Sequence, residues 1–312
     1  KDHHGRSRFV LKTFVEFGAK DDILYESKPH IGTDILIDVV KNMRTEIINL
    51  GGDIRFNSQV TDFNIEDDEI SAVQVNDDYW IETNKVVLAI GHSARDTFQM
   101  LLDHKVPMRS KAFAVGVRME HPQTLINENQ YGVNYPDSLP AAAYKLTRKV
   151  AEERGVYSFC MCPGGYVVNA SSEEGMTAVN GMSYHARAGE NANSAMIISV
   201  RPEDFGSDDA LAGVEFQRKL EKAAYREGQG KIPVQLFGDF CKNRVSEQLG
   251  EIKPNTKGEW TFGNVRSIFP ENLSAGLEEG IKGCENLIPG FAREDALLLG
   301  VESRTSSPVR IE

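Results

Sequence analysis

A short apolar segment, residues 86–90, constrains the fold more than any other part of the sequence. All five residues are apolar, which is typical of a central parallel strand covered on both faces of its sheet. The segment ends in Ala89 and Ile90 and leads directly into Gly91. A strand that ends on a small residue and a glycine at such a turn is suited to bring its backbone close to a nucleotide. The segment therefore predicts an α/β domain with a nucleotide site at this turn.

The preceding residues support this prediction. Residues 33–50 have apolar side chains at helical spacing and end at Gly51 and Gly52, so they predict a helix capped by Thr33 or Asp34. A short strand and a three-stranded antiparallel meander follow, because turn residues separate short strand-like segments. The predicted strands are residues 53–60, 60–65, 70–75 and 79–83. This order is typical of a doubly wound, parallel nucleotide-binding domain with an antiparallel excursion.

The sequence pattern changes near Pro107. From there, strand-like segments are broken by Gly, Pro and Asn, and one clear helix lies among them at residues 209–228. We therefore predict a β-rich α+β domain at residues 106–286, inserted into a partial nucleotide-binding domain made of residues 1–105 and 287–312.

Two further elements are predicted near the end of the chain. Residues 272–287 indicate a helix interrupted by glycines, and residues 295–303 indicate a buried strand. Residues 297–301 are as apolar as residues 86–90, so we expect these two strands to share one parallel sheet.

The charge balance argues against two classes of partner. The 312 residues include 35 Lys and Arg and 46 Asp and Glu, which gives a formal net charge of −11. Nucleic acid and an anionic membrane surface both repel such a chain, so neither is expected as a partner. No stretch reaches the roughly 18 to 20 consecutive apolar residues that a bilayer crossing needs. We expect a small-molecule substrate, and the oligomeric state is left open.

Two features predict a cytoplasmic location. The chain has 4 cysteines, too few in this length to indicate a disulfide framework. The first residues, KDHHGRSRFVLK, are polar and basic and lack the apolar core of a signal peptide.

Several catalytic motifs are absent from the sequence. The dinucleotide fingerprint G-x-G-x-x-G occurs nowhere, so the glycine-rich turn that cradles a pyrophosphate is missing. The motifs G-x-S-x-G and H-E-x-x-H and paired C-x-x-C motifs are also missing. We therefore predict no hydrolase nucleophile and no metal site.

Long motifs resemble those of one family, the predicted FAD-dependent dehydrogenases, also called NAD(FAD)-utilising dehydrogenases. These motifs are SQVTDF, VVLAIGHSARDTF, FAVGVRMEHPQ, YSFCMCPGGYVVNAS and LLLGVESRTSSPVRI. The resemblance implies an FAD domain similar to that of glutathione reductase and NAD(P)H as electron donor. In that family the fingerprint precedes the position of Lys1, and a flavin-closing segment follows the position of Glu312. The chain is thus expected to be an inactive central fragment that does not retain FAD.

The resemblance also implies a set of cofactor-binding residues. Val60 matches the residue whose backbone meets the adenine. Ala89, Ile90 and Gly91 match the turn beside the cofactor, and His92 and Ser93 follow it. The alternative is that Gly91 only ends a core strand. No residue is assigned a catalytic role, His92 included.

A polar run, ESRTSSPVR, follows the strand predicted at residues 295–303. Arg304 and Arg310 are suited to meet an anionic group, and the hydroxyls at residues 305–307 are donors. Thr305, Ser306 and Pro308, which stiffens the turn, complete the predicted cofactor-binding set. The alternative is a solvated loop with surface ion pairs.

Two other polar groups have mainly structural interpretations. Cys160 and Cys162 share a strand face, about 6.6 Å apart at Cα, and are typical of small buried packing groups. A redox pair is the alternative. Arg118, Glu120 and His121 are predicted to line a cleft or to form a charged strand edge.

The resulting function is an FAD-dependent oxidoreductase of unknown substrate. The alternative is a flavoprotein-derived binding or scaffold module without turnover. A third hypothesis is flavin-dependent modification of RNA; the net charge of −11 argues against it, because it offers no broad basic face.

Overall fold

The computed structural model describes residues 5–67 and 69–312. Its helices are α1 (Arg6–Glu16), α2 (Thr33–Asn49), α3 (Arg95–Asp103), α4 (Gln123–Tyr131), α5 (Ala212–Gly228), α6 (Phe237–Cys241) and α7 (Glu271–Cys284). None of the helices in these ranges combines the length and apolar character that crossing a membrane would require.

Fifteen strands are present in the described residues. They are β1 (Val60–Glu66), β2 (Glu69–Val75), β3 (Tyr79–Glu82), β4 (Met108–Ser110), β5 (Phe113–Pro122), β6 (Thr147–Val150), β7 (Arg154–Cys162), β8 (Tyr166–Asn169), β9 (Val179–Met182), β10 (Asn191–Val200), β11 (Ile232–Leu236), β12 (Thr256–Lys257), β13 (Trp260–Phe262), β14 (Leu297–Glu302) and β15 (Val309–Ile311). They form sheets in the orders β1-β2-β3, β13-β11-β14-β5-β10-β7-β6, β12-β8-β9 and β15-β4.

The seven-stranded sheet is the centre of the molecule. Its two longest strands, β5 and β10, pair antiparallel over their whole length, and only β11 and β13 pair in parallel. Alternate residues of β5, including Val115, Val117 and Met119, join the largest apolar core together with residues of α5 and α7. The other face of β5 carries Arg118 and Glu120, both fully buried. His121 is fully buried as well, so neither a cleft nor a charged strand edge describes these three residues and that prediction is wrong.

The antiparallel meander is confirmed. β1 pairs with β2 and β2 with β3, at nearly the predicted residues. The predicted helix 33–50 is α2, and its N-cap is Gly32 rather than Thr33 or Asp34; no side chain caps it. The carboxylate of Asp34 instead accepts the backbone N–H of His185 at 2.8 Å. The strand predicted at residues 53–60 is wrong for residues 53–59, which belong to no strand.

The strand predicted at residues 86–90 is not part of any sheet in the described structure. Its side chains are largely exposed: Val87 is 91% exposed and Leu88 41%. In contrast, β14 is wholly buried between β5 and β11. The prediction that residues 86–90 and 297–301 share a sheet is therefore wrong, and no doubly wound parallel sheet occurs among residues 5–67 and 69–312. Apolar composition indicates that a segment is suited to burial. It does not indicate which strands will lie beside that segment.

β14 also bears on the predicted division of the chain. It lies in the same sheet as strands of the predicted inserted domain, although the prediction assigned residues 287–312 to the nucleotide-binding part. The predicted helices at 209–228 and 272–287 correspond to α5 and α7. The division at residues 105/106 otherwise stays a prediction.

Candidate functional site

A groove of about 330 Å³ lies between β1 and the extended residues 86–90. Its size falls at the lower end of the roughly 300–1,000 Å³ range of small-molecule sites. The apolar part of the lining is contributed by Val60, Phe63, Val86, Val87, Leu88, Ile90 and Ala94. Polar groups close one side, where the amide of Gln59 donates to the carboxylate of Asp96 at 2.6 Å. The structure thus brings the predicted residues Val60 and Ile90 to one groove.

The turn at Gly91 presents an open backbone beside this groove. Gly91 has φ 68°, in the left-handed region that favours glycine, and no atom lies within 4 Å of where a Cβ would be. Ala89 before it is exposed as well. Ile90 instead is partly buried against the apolar cluster of Phe98, Val214 and Val309, so this end of the segment is attached to the body of the protein.

His92 and Ser93 connect the turn to α3. Their side chains lie 3.2 Å apart, from Ser93 Oγ to His92 Nδ1. Burial lowers the pKa of His92, and the positive charges of Arg304 and Arg95 lower it further. The neutral imidazole is thereby favoured. The same effect places the predicted turn near the predicted polar run, because Arg304 is close enough to act on His92.

Arg304 forms an ion pair with an acidic residue of the same chain. Its Nε and Nη2 donate to the two carboxylate oxygens of Glu221, on α5, at 3.0 and 2.8 Å. Arg95, the first residue of α3, donates to the same carboxylate at 2.7 and 3.0 Å, and Ser303 Oγ donates to it at 2.6 Å. The side chain of Glu221 is fully buried. The ion pair of Arg304 is therefore not a surface ion pair, so the alternative of a solvated loop does not describe this part of the run.

The ion cluster extends through a second carboxylate. Glu173 accepts hydrogen bonds from Arg95 and from Arg218. Burial alone would raise the pKa values of Glu173 and Glu221, but hydrogen bonds from arginines outweigh burial, and the pKa of Glu173 falls to about 2. Both carboxylates are thus held ionised, and the arginine charges are largely neutralised. Sequence reasoning missed the pairing of Arg95 with Glu221, because the two residues are 126 positions apart and none of the family motifs contains both.

The remaining residues of the polar run support the local fold. Thr305 Oγ1 donates to the backbone oxygen of Ala114 at 2.8 Å. Pro308 is buried, and its backbone oxygen accepts the N–H of Lys111. Ser306 is half-buried, and Arg310 is exposed. The cofactor-binding roles of these residues remain predictions.

The groove residues fit one flank of a dinucleotide such as FAD. The apolar walls at Val60 and Ile90 suit a planar base, and the open backbone at Gly91 allows a close approach by a ligand. The groove offers fewer binding groups to a pyrophosphate. Arg304 already pairs with Glu221, and the sequence contains no G-x-G-x-x-G turn. In the described part of the chain, no group of three or more His, Cys, Asp and Glu residues is arranged to hold a metal ion.

Two comparisons relate the chain to known proteins. An uncharacterized protein of Clostridium beijerinckii is 51% identical over 315 residues, which cover 100% of this chain and 58% of that protein. The chain thus spans little more than half the length of this curated relative. Residues 112–305 match the family described as FAD-dependent protein, C-terminal domain-like. Because this match covers more than half of the chain and all seven strands of the central sheet, the chain belongs to that family of FAD-dependent proteins.

Proposed function

We propose that the chain is part of an FAD-dependent oxidoreductase of the dehydrogenase type, and that its groove holds the adenosine end of the cofactor. The observation that carries this proposal is the apolar groove beside the open Gly91 turn. Membership of an FAD-dependent family supports the choice of ligand.

The residues of the chain have distinct parts in this proposal. Val60 and Ile90 hold the adenine between apolar surfaces, and the Gly91 backbone lies beside the ribose and phosphates. Arg304 keeps the loop after β14 in place through Glu221 and acts on His92 by its charge. A bound flavin supplies hydride and electron transfer, for which we propose NADH or NADPH as the donor. The substrate is a small molecule, and no residue of the chain is assigned proton transfer.

We also propose a reducing, cytoplasmic setting. Its support is that all four cysteines of the described structure are free thiols.

The test uses the longest natural form of the protein that contains this chain. Val60→Asp places a charge in the groove, where an adenine would have to desolvate it, so we expect loss of most of the bound flavin. Val133→Asp is the matched control, because Val133 is 77% exposed and distant in sequence from the groove. Flavin per chain is measured by visible absorbance after desalting, and turnover by anaerobic oxidation of NADH and NADPH.

The outcomes separate the candidate functions. Loss of flavin in Val60→Asp but not in Val133→Asp supports the proposal. Stoichiometric flavin in Val60→Asp overturns the assignment of the groove. Flavin that neither NADH nor NADPH reduces favours the alternative, a binding or scaffold module without turnover.

A further inference from the structure

Cys160 and Cys162 lie at the end of β7, where its pairing with β10 is irregular. Asn193 of β10 pairs with Cys162, and Ala195 pairs with Phe159, so β7 carries one residue more than β10 over this stretch. Such a β-bulge re-aims side chains. Cys160 lies within it at φ 45°, a left-handed conformation that residues other than glycine rarely adopt.

The bulge gives the two thiols different exposure but keeps them in contact. Cys160 is exposed and Cys162 is buried, and both are free. Cys162 Sγ lies 3.4 Å from the backbone oxygen of Cys160, to which its thiol donates. The prediction of two buried packing groups is therefore wrong for Cys160. An accessible sulfur beside a buried one suits an exchange in which one thiol attacks and the other resolves.

A buried arginine, which is ion-paired with Glu302, lies against this pair of cysteines. Arg118 Nη1 donates to the backbone oxygen of Cys160 at 2.8 Å and lies 4.0 Å from Cys162 Sγ. Glu302 anchors it through Nε at 2.8 Å. The hydrogen bond from Cys162 lowers the pKa of Cys160 to about 5; burial opposes this shift, and Arg118 adds to it. The pKa of Cys162 is raised by the same hydrogen bond and by burial, so the exposed Cys160 thiol is the more acidic of the two.

An unused donor lies in the same cluster. The side chain of Asn193 is fully buried, and its Nδ2 has no hydrogen-bond partner within residues 5–67 and 69–312. Its Oδ1 accepts from Arg118 Nη1 at 3.1 Å, the same nitrogen that contacts both cysteines. A buried amide without a partner is costly, and such a group in a folded protein is a candidate contact for a ligand or an intermediate.

We propose that Cys160 and Cys162 form a thiol–disulfide exchange site that reduces small disulfide substrates. The Cys160 thiolate attacks one sulfur of the substrate, forms a mixed disulfide and releases the first thiolate. Cys162 then loses its proton to solvent and attacks Cys160 Sγ, which forms the Cys160–Cys162 disulfide and releases the second thiolate. The substrate gains two electrons and the two cysteines lose two. This activity does not rest on the proposed flavin chemistry.

The test treats the reduced chain with dithiobis(nitrobenzoate), a small aromatic disulfide, under anaerobic conditions. We expect the wild type to release two thionitrobenzoates per chain in its fast phase and to keep no adduct. Cys162→Ser is expected to release one and keep the adduct, because the resolving thiol is gone. Cys160→Ser is expected to lose the fast phase. Cys241→Ser is the matched control, because burial raises the pKa of Cys241 to about 11.

A second probe identifies the product. After incubation with glutathione disulfide, mass spectrometry should find a disulfide linking Cys160 and Cys162 in the wild type and a glutathione adduct on Cys160 in Cys162→Ser. Two results would overturn the proposal: a fast phase of one thiol or none in the wild type, or two thiols released by Cys162→Ser. Circular dichroism confirms that the variants are folded.

Discussion

The part of the chain before residue 105 and the seven-stranded sheet use apolar residues in different ways. All residues of β14 and nine of the ten residues of β10 are buried. In α2, which has a clear apolar face in sequence, only Val39 is buried, and Ile37 is 65% exposed. The extended residues 86–90 are just as apolar as β14 and remain largely uncovered.

This difference teaches that an apolar pattern defines a face but not its partner. β14 lies between two strands of the same sheet, whereas residues 86–90 are paired with no strand of any sheet in the described structure. Exposed apolar surface of this kind is typical of a site that binds another segment, a ligand or a partner. The groove at Val60 belongs to this uncovered part of the molecule.

The largest effect should come from truncating the same residue type in the two regions. Ile198 in β10 is fully buried and packs over Gly276 of α7. Ile198→Ala should lower the free energy of unfolding by about 2–5 kcal/mol, because it leaves a cavity. Ile37→Ala on α2 should change it by no more than about 0.5 kcal/mol. Urea denaturation measures both, and equal losses would contradict the comparison.

Local sequence patterns were enough to predict the elements whose hydrogen bonds join residues close together in the chain. α2, the meander, α5 and α7 each have their defining pattern within one short window of sequence. Pairings over long distances were not predictable: β14 joins β5 across 184 positions at the ion pair of Arg118 and Glu302. Charged residues are rarely fully buried, so Arg118 and Glu120 were expected at a cleft or edge instead of inside a sheet.

The candidate site was predictable only in part. A family resemblance led to Val60 and Ile90, which the structure places at one groove. Nothing in the sequence indicated that Glu221 would neutralise Arg304, because that contact depends on how α5 packs. The Cys160–Cys162 spacing suggested a shared strand face, but the bulge that exposes Cys160 has no sequence signal.

The next largest effect is a pH dependence of stability caused by Glu120, which is buried in β5. Burial raises the pKa of Glu120 from its usual 4.5 to about 7. The folded state therefore holds this proton more tightly than the unfolded state, so stability is lost as pH rises from 4.5 to 7. Glu120→Gln removes this loss. As pH rises from 4.5 to 7, the free energy of unfolding of the variant should increase by about 3 kcal/mol relative to that of the wild type. Urea denaturation across this pH range measures the difference.

His121 provides a test of the sign. Burial lowers its pKa from 6.5 to about 4, so its contribution is present above 6.5 and lost as pH falls. The two neighbours thus oppose each other between pH 4.5 and 6.5. Glu120→Gln should unmask the acid sensitivity of His121, and a difference between variant and wild type that does not vary with pH would refute the assignment.

The smallest effect should come from the cluster that joins the two regions. Arg95 of α3 and Arg304 after β14 share the carboxylate of Glu221 on α5. Arg304→Ala removes two of its hydrogen bonds, but Arg95 and Ser303 keep the carboxylate satisfied. We therefore expect a loss of about 1–3 kcal/mol rather than the larger cost of an unpaired buried charge.

Arg310→Ala is the matched control for Arg304→Ala, because Arg310 is exposed and lies in the same polar run. It should change stability by no more than about 0.5 kcal/mol. If both variants behave alike, the run is an ordinary loop and Glu221 does not depend on it. If only Arg304→Ala loses stability, the flavin content of this variant must be compared with that of the wild type at an equal fraction of folded protein. Only a loss that persists under that comparison would mean that Arg304, besides holding Glu221, also contributes to the cofactor site beside His92.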